Sequence, residues 1–369
     1  MKMPNEVIRE EIAKKGVLSF ARFMELALYC PETGYYETEK GKVGRGGDFI
    51  TSVSTGNLFG QLLAFQFAEW LEAMGRQPEI MMVEAGAHDG RLADDILTCL
   101  QRHRPELFGR MKYAILEPSL NRRCWQKETL KNFAPQVRWA ANLSQLAGRD
   151  SAGTAFQKIN GIIFSNELLD AFPVHRFGWD KTGKKWFEWG VTVSGGNLVW
   201  AKLESPEFKI ENPELEAVLP EGYTIETSPS AENWWREAAG ILGRGKLLAI
   251  DYGFTADEIF SPSRLNGTLR AYHRHRVTDD ILANPGEQDL TAHVNFSACE
   301  RAGEVAGLTT ESFSTQARFL TQILAKAQTD GSLGEWNSSR TRQFQTLTHP
   351  EHFGRAFRVL VQKRGLSHE

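Results

Sequence analysis

The chain has 369 residues, 41% of them hydrophobic, and its 43 Lys and Arg against 46 Asp and Glu leave a formal net charge of −3. That length fits one large domain with additions, or two, with a sizeable core. The balanced charge argues against the dense basic face that grips nucleic acid, and no apolar run approaches the ~20 residues of a membrane span.

The opening stretch, MKMPNEVIREEIAKKG, mixes acids with bases and has no apolar centre, so it does not read as a signal peptide. Residues 4–16 have apolar side chains at helical spacing and stop at Gly16. LSFARFMELALYC, from Leu18, is a second amphipathic helix with Ser19 placed as its N-cap. Residues 31–54 are glycine-rich and read as a long loop. TGNLFGQLLAFQFAEWLEAMG is a long helix ending at Gly75. Residues 1–75 are therefore expected to form a helical cap.

An alternating pattern follows. EIMMVE, KYAILE, VRWA and INGIIFSNE read as strands, with helices GRLADDILTCLQRH and SLNRRCWQKETLKNF after the first two. GKLLAIDYG and FRVLVQK are later strands, and NFSACERAGEVAG is a helix between them. Short apolar runs alternating with helices indicate a parallel sheet covered on both faces. Residues 76–175 are the first part of this core and 227–369 the rest. Between them, residues 176–226 break the alternation. Polar turns at DKTGKK and SGGN separate aromatic-rich runs holding Trp179, Trp186, Trp189 and Trp200, as in an inserted β-meander. The four cysteines are far apart and form no Cys-x-x-Cys pattern, which fits a reduced, cytoplasmic setting.

Open α/β sheets bind ligands beyond the carboxyl ends of their strands. Here those ends carry Glu84, then Gly86 and Gly90; Glu117; Asn166 and Glu167; and Asp251. A dinucleotide loop needs G-x-G-x-x-G to seat a pyrophosphate. EAGAHDG is E-x-G-x-x-x-G instead, and an acid there repels pyrophosphate but suits a cationic ligand. Glu117 is placed to accept hydrogen bonds from ribose hydroxyls. S-adenosylmethionine, with a sulfonium, an ammonium and a ribose diol, fits that pattern; a plain strand-to-helix turn is the alternative. His88 stands where a glycine would let backbone approach the ligand. Its side chain faces solvent, touches the ribose or carboxylate, or fills the pocket.

These motifs, in order, resemble the MidA family of S-adenosylmethionine-dependent methyltransferases. GYYETEKGKVGRGGDFITS, VEAGAHDGRLADDIL, YAILEPS, SNELLDAFPVHRF, LLAIDYG, GTLRAYHRHR and DLTAHVNFS carry the likeness across nearly the whole chain. The chain departs from the pattern at His88 (glycine in the family), Val53 (proline) and Asn295 (aspartate). The resemblance implies a class I methyltransferase fold, Rossmann-like, with a mostly parallel seven-stranded sheet whose last strand is antiparallel. It implies that Gly86, Gly90 and Glu117 hold S-adenosyl-L-methionine with Glu84 nearby, and that Asp48 and Thr51 close over the same site. The family's mitochondrial relatives include a protein arginine methyltransferase that assists respiratory complex I assembly, so a protein substrate is implied.

Methyl transfer from a sulfonium is an in-line displacement, for which an enzyme mainly positions the nucleophile and manages its proton. An arginine acceptor would be held by carboxylates. Glu167 and Asp170, just past the fourth strand, are the catalytic candidates, Glu167 first, with Asn166 beside them on the cofactor side. Asp170 could instead only cap a turn before Pro173. His273 is a candidate proton acceptor at near-neutral pH, and His293 has similar standing. No third ligand accompanies His273 and His275, so no metal is expected. The expected function is methylation of a protein, arginine being one acceptor. A scaffold protein that kept the fold is the first alternative, and a nicotinamide-dependent oxidoreductase, lacking its glycine motif, the second. Oligomeric state is left open.

Overall fold

The computed structural model describes residues 2–38, 51–75, 79–147, 158–204, 208–210, 213–262, 264–273, 276–331 and 333–366. Seven strands make the central sheet: β1 (Ile80–Ala85), β2 (Met111–Leu116), β3 (Val137–Ala140), β4 (Ile159–Asn166), β5 (Leu242–Phe254), β6 (Thr309–Thr315) and β7 (Phe357–Arg364). Their spatial order is β6-β7-β5-β4-β1-β2-β3. The pairs β1–β2, β2–β3, β1–β4 and β4–β5 are parallel, and β7 runs antiparallel to both β5 and β6. A two-residue strand, Val294–Asn295, adds to the end of β5. This is the mostly parallel seven-stranded sheet, its last strand antiparallel, that the resemblance implies.

Side chains alternate across the sheet because the strand period is two. Ile80, Met82, Leu248 and Ile250 enter one core, with helices Leu58–Ala73, Arg91–His103 and Gln316–Asp330. Met81, Val83, Leu247 and Ala249 enter the other, with helices Pro229–Ile241 and Phe296–Val305. Every residue of β1 is buried, as its unbroken apolar run requires. The helix Leu58–Ala73 belongs with the sheet: it is apolar almost all round and buried along most of its length.

The other N-terminal helices, Pro4–Lys15 and Phe20–Tyr29, form the cap, and the Ser19 hydroxyl accepts from the Arg22 amide as N-cap. Leu18 and Ser19 pair with Val191 and Gly190 of the meander. The meander runs His175–Asp180, Lys185–Ser194 and Asn197–Glu204, and Thr224–Thr227 returns beside its first strand. Trp179 and Trp186 fill its own small core. Ile8, Phe20 and Phe23 of the cap share a further core with Val191 of the meander and Ala271 and Leu290 of a small outer sheet. That outer sheet comprises Arg270–His273, Arg276–Thr278 and Asp289–Thr291. Among the described residues no helix is long and apolar enough to cross a membrane.

Candidate active site

A cavity of about 550 Å³ lies beyond the carboxyl ends of β1, β2 and β4, walled on its far side by the cap. That is within the usual range for small-molecule sites, ~300–1,000 Å³. At the β1 end, Glu84 is buried and accepts the Tyr113 hydroxyl at 2.6 Å. Burial pushes its carboxyl up to about 7, against the opposing Tyr113 bond. Gly86 has φ +74°, and a Cβ there would meet Leu168 Cδ1 at 2.7 Å, so glycine alone leaves this wall open. His88 also takes a left-handed conformation, φ +46°. His88 lines the cavity, with Nδ1 3.8 Å from Asp89 Oδ1. Burial alone would raise the Asp89 carboxyl, but His88 and Arg91 hold it below its ordinary value. Gly90, φ +87°, turns the chain into helix Arg91–His103.

At the β2 end, Glu117 is 1% exposed and lines the cavity. Its Oε1 takes the Ser119 amide at 2.9 Å and Arg122 Nη2 at 2.9 Å, and its Oε2 takes Gln126 Nε2 at 3.2 Å. A carboxylate oxygen accepts two in-plane bonds, so Oε2 keeps one direction open. Asn166 ends β4 on the cavity wall, and its buried Oδ1 has no hydrogen-bond partner among the described residues.

Glu167 follows with φ +51°, a strained conformation for a non-glycine residue. Its Oε1 takes the Ser52 amide at 3.0 Å and Asn166 Nδ2 at 3.1 Å. Burial, with added repulsion from Asp251 and Asp289, pushes its carboxyl up to about 8. Asp251, fully buried on β5, accepts the amides of Leu168 and Leu169 at 3.1 and 2.8 Å and fixes this turn. Asp170 is buried and does not line the cavity; burial and then Asp251 raise its pKa well above the usual carboxylate range. Thr51 lines the cavity, its hydroxyl taking the Ser54 amide at 3.1 Å. Asp48 lies outside the described residues.

His273 is not brought to the cavity: its Nδ1 sits 2.9 Å from the Glu287 carbonyl oxygen on the outer sheet. His275 lies outside the described residues. His293 stacks on Phe254 at 4.8 Å, and burial holds its pKa down at about 4, a neutral packed imidazole. Two cap tyrosines absent from the sequence reading do line the cavity. Tyr29 donates to the Ala171 carbonyl at 2.9 Å and Tyr36 to Asp289 Oδ1 at 2.7 Å, with the rings stacked 5.6 Å apart. The Gly-Tyr-Tyr of residues 34–36 carried that signal for Tyr36.

A family model described as "Putative S-adenosyl-L-methionine-dependent methyltransferase" matches residues 62–314. The chain belongs to this family. It is 30% identical over 317 residues to the human mitochondrial protein arginine methyltransferase NDUFAF7, covering 81% of this chain and 68% of the relative. It is 25% identical over 391 residues to the Drosophila melanogaster homologue, covering 97% and 84%. A Burkholderia thailandensis protein solved with S-adenosyl-homocysteine is 32% identical, with a TM-score of 0.83 over 99% of this chain and 92% of that one.

The protein is a methyltransferase, and its cofactor is S-adenosyl-L-methionine. The site suits the cofactor's chemistry: carboxyl groups line it at the strand ends, the wall at Gly86 is open, and Asn166 Oδ1 has no hydrogen-bond partner among the described residues. The scaffold and oxidoreductase alternatives are not favoured. The cytoplasmic expectation is corrected, because the curated relatives are mitochondrial by name. It rested on cysteine spacing and on an opening stretch that does not read as a signal peptide, neither of which distinguishes one reducing compartment from another.

Proposed function

We propose that this methyltransferase modifies a protein, transferring methyl to an arginine side chain held against Glu167. One observation carries the reading: Glu167 is a cavity-lining carboxyl raised to about 8 by burial and neighbouring acids. Such a group at pH 7 holds a proton that an entering guanidinium displaces, because the cation relieves the repulsion. The carboxylate then accepts guanidinium N–H bonds, aims one nitrogen along the line of attack, and takes the proton that nitrogen gives up. Asp170, buried off the cavity, has no contact with the acceptor in this reading. Bound S-adenosylmethionine supplies the electrophilic methyl group. Gly86, Asn166 and Glu117 hold it, with Glu84, His88, Gly90 and Thr51 around them. The names of the relatives, protein arginine methyltransferases, support the acceptor class.

The test is methyl transfer from isotopically labelled cofactor to candidate protein acceptors, followed by acid hydrolysis and chromatography. Label should appear in methylarginine, and Glu167→Gln should lower kcat by about 10²–10⁴, the usual contribution of a proton acceptor. Label in another amino acid, or wild-type turnover of a verified substrate by Glu167→Gln, overturns the reading.

A further inference from the structure

Glu117 is gripped from the cap as well as from the core. Arg122, in the first turn of helix Leu120–Thr129, is buried and reaches both ways. Its Nη2 pairs with Glu117 Oε1 at 2.9 Å, while its Nη1 donates to the Tyr36 carbonyl at 3.1 Å and lies 3.7 Å from Glu37 Oε1. Ser119 bridges the same two acids. Its amide donates to Glu117 at 2.9 Å and its hydroxyl to Glu37 Oε2 at 2.6 Å. Asn121 Nδ2 adds a bond to the Glu37 carbonyl at 3.4 Å. The short turn Tyr35–Glu37 is thus tied to the residues that surround Glu117. Its central residue, Tyr36, lines the cavity, stacks on Tyr29 and donates to Asp289.

A buried ion pair gives little net stability compared with apolar packing, yet losing one partner strands the other charge. Such a pair fixes geometry more than it adds stability. Glu117 needs a fixed geometry if Oε2 is to meet a ribose hydroxyl, and the cap needs a polar anchor where the turn crosses the core. One guanidinium meets both needs.

We propose that Arg122 is a positioning residue that couples S-adenosylmethionine binding at Glu117 to docking of the Tyr35–Glu37 turn, and so to the tyrosine wall of the cavity. Coupling is reciprocal: whatever the docked turn adds to cofactor affinity, the cofactor adds to docking. The inference rests on the proposed role of Glu117, which a control variant tests separately.

S-adenosylhomocysteine is titrated calorimetrically into wild type, Glu117→Gln, Arg122→Met, Glu37→Gln and the Arg122/Glu37 double variant. Hydrogen exchange of residues 30–38 is followed with and without saturating ligand. Arg122→Met should weaken binding about tenfold or more and Glu37→Gln about threefold, with the double variant no worse than Arg122→Met alone, since linked residues are non-additive. Ligand should slow exchange over residues 30–38 in wild type but not in Arg122→Met. A purely structural role for Glu37 would leave cofactor affinity unmoved. If Arg122→Met does not fold, Arg122→Lys replaces it, because one ammonium cannot span both partners and the same pattern should appear more weakly. If Glu117→Gln loses affinity while the other variants bind as wild type, or if their penalties add, the coupling is refuted. If Glu117→Gln itself binds as wild type, the role of Glu117 falls first.

Discussion

Replacing Glu167 with glutamine should stabilise the ligand-free protein at alkaline pH. Native Glu167 keeps its proton to about 8, whereas an exposed glutamate releases it near 4.5. Between those values the native state binds more protons than the unfolded chain, so stability falls as pH rises. At ~1.4 kcal/mol per tenfold change in proton affinity, the full penalty on the ionised form is roughly 4–5 kcal/mol. Solvent reaching the cavity screens part of that, leaving about 2–3 kcal/mol. Glutamine keeps the acceptor oxygen that meets the Ser52 amide but cannot ionise. Urea unfolding of wild type and Glu167→Gln at pH 5, 7 and 9 checks this. The two should agree at pH 5 within about 1 kcal/mol, and the variant's advantage should grow from there to about pH 8 and then level off. Glu84, Asp170 and Asp251 are also raised and slope both curves, so the difference reports Glu167 together with its repulsion of Asp170 and Asp251. A difference independent of pH, or a variant no more stable than wild type at pH 9, refutes the assignment of a burial-raised carboxyl.

Glu117→Ala should weaken S-adenosylhomocysteine by about 2–4 kcal/mol in calorimetry, because it removes the acceptor and strands the Arg122 charge; an unchanged Kd would mean the ribose is held elsewhere. Gly86→Ala places a methyl at positive φ and against Leu168, so it should cost ~1–2 kcal/mol of stability and lower cofactor affinity as well. Full binding by that variant in a thermal-shift titration would show that the wall yields. His88→Gly relieves the left-handed strain and should raise stability by up to ~1 kcal/mol while leaving the Kd within about twofold. A tenfold loss would instead make the imidazole a cofactor contact.

The strands were legible where burial on both faces forces an unbroken apolar run, as in IMMVEA of β1 and KLLAI within β5. The edge strand β6 was not, since TTESFST has no fully buried residue and only Phe313 as an apolar signal. Nor was the pairing of Leu18–Ser19, which tertiary contact with the meander dictates. The acids at the strand ends were readable because a parallel sheet fixes where its carboxyl edge lies. The Arg122–Glu37 contact joins residues far apart in sequence, with no periodicity to announce it. His273 went astray for a geometric reason. Pairing of Arg270–Tyr272 with Asp289–Thr291 ends just before it, leaving its ring to meet the Glu287 carbonyl instead of the cavity.

The position of β7 also bears on how the chain is made. It follows β6 in sequence yet lies between β6 and β5. While synthesis has reached only residue 350, the long strand β5 therefore has one bare edge and β6 has no neighbour in the sheet. Such an edge is a template for pairing with other chains. Sheet closure must wait until residue 364 is clear of the exit tunnel. Nascent chains of this enzyme should therefore depend on chaperones late in synthesis, and a truncation that removes β7 should aggregate instead of yielding a smaller folded domain.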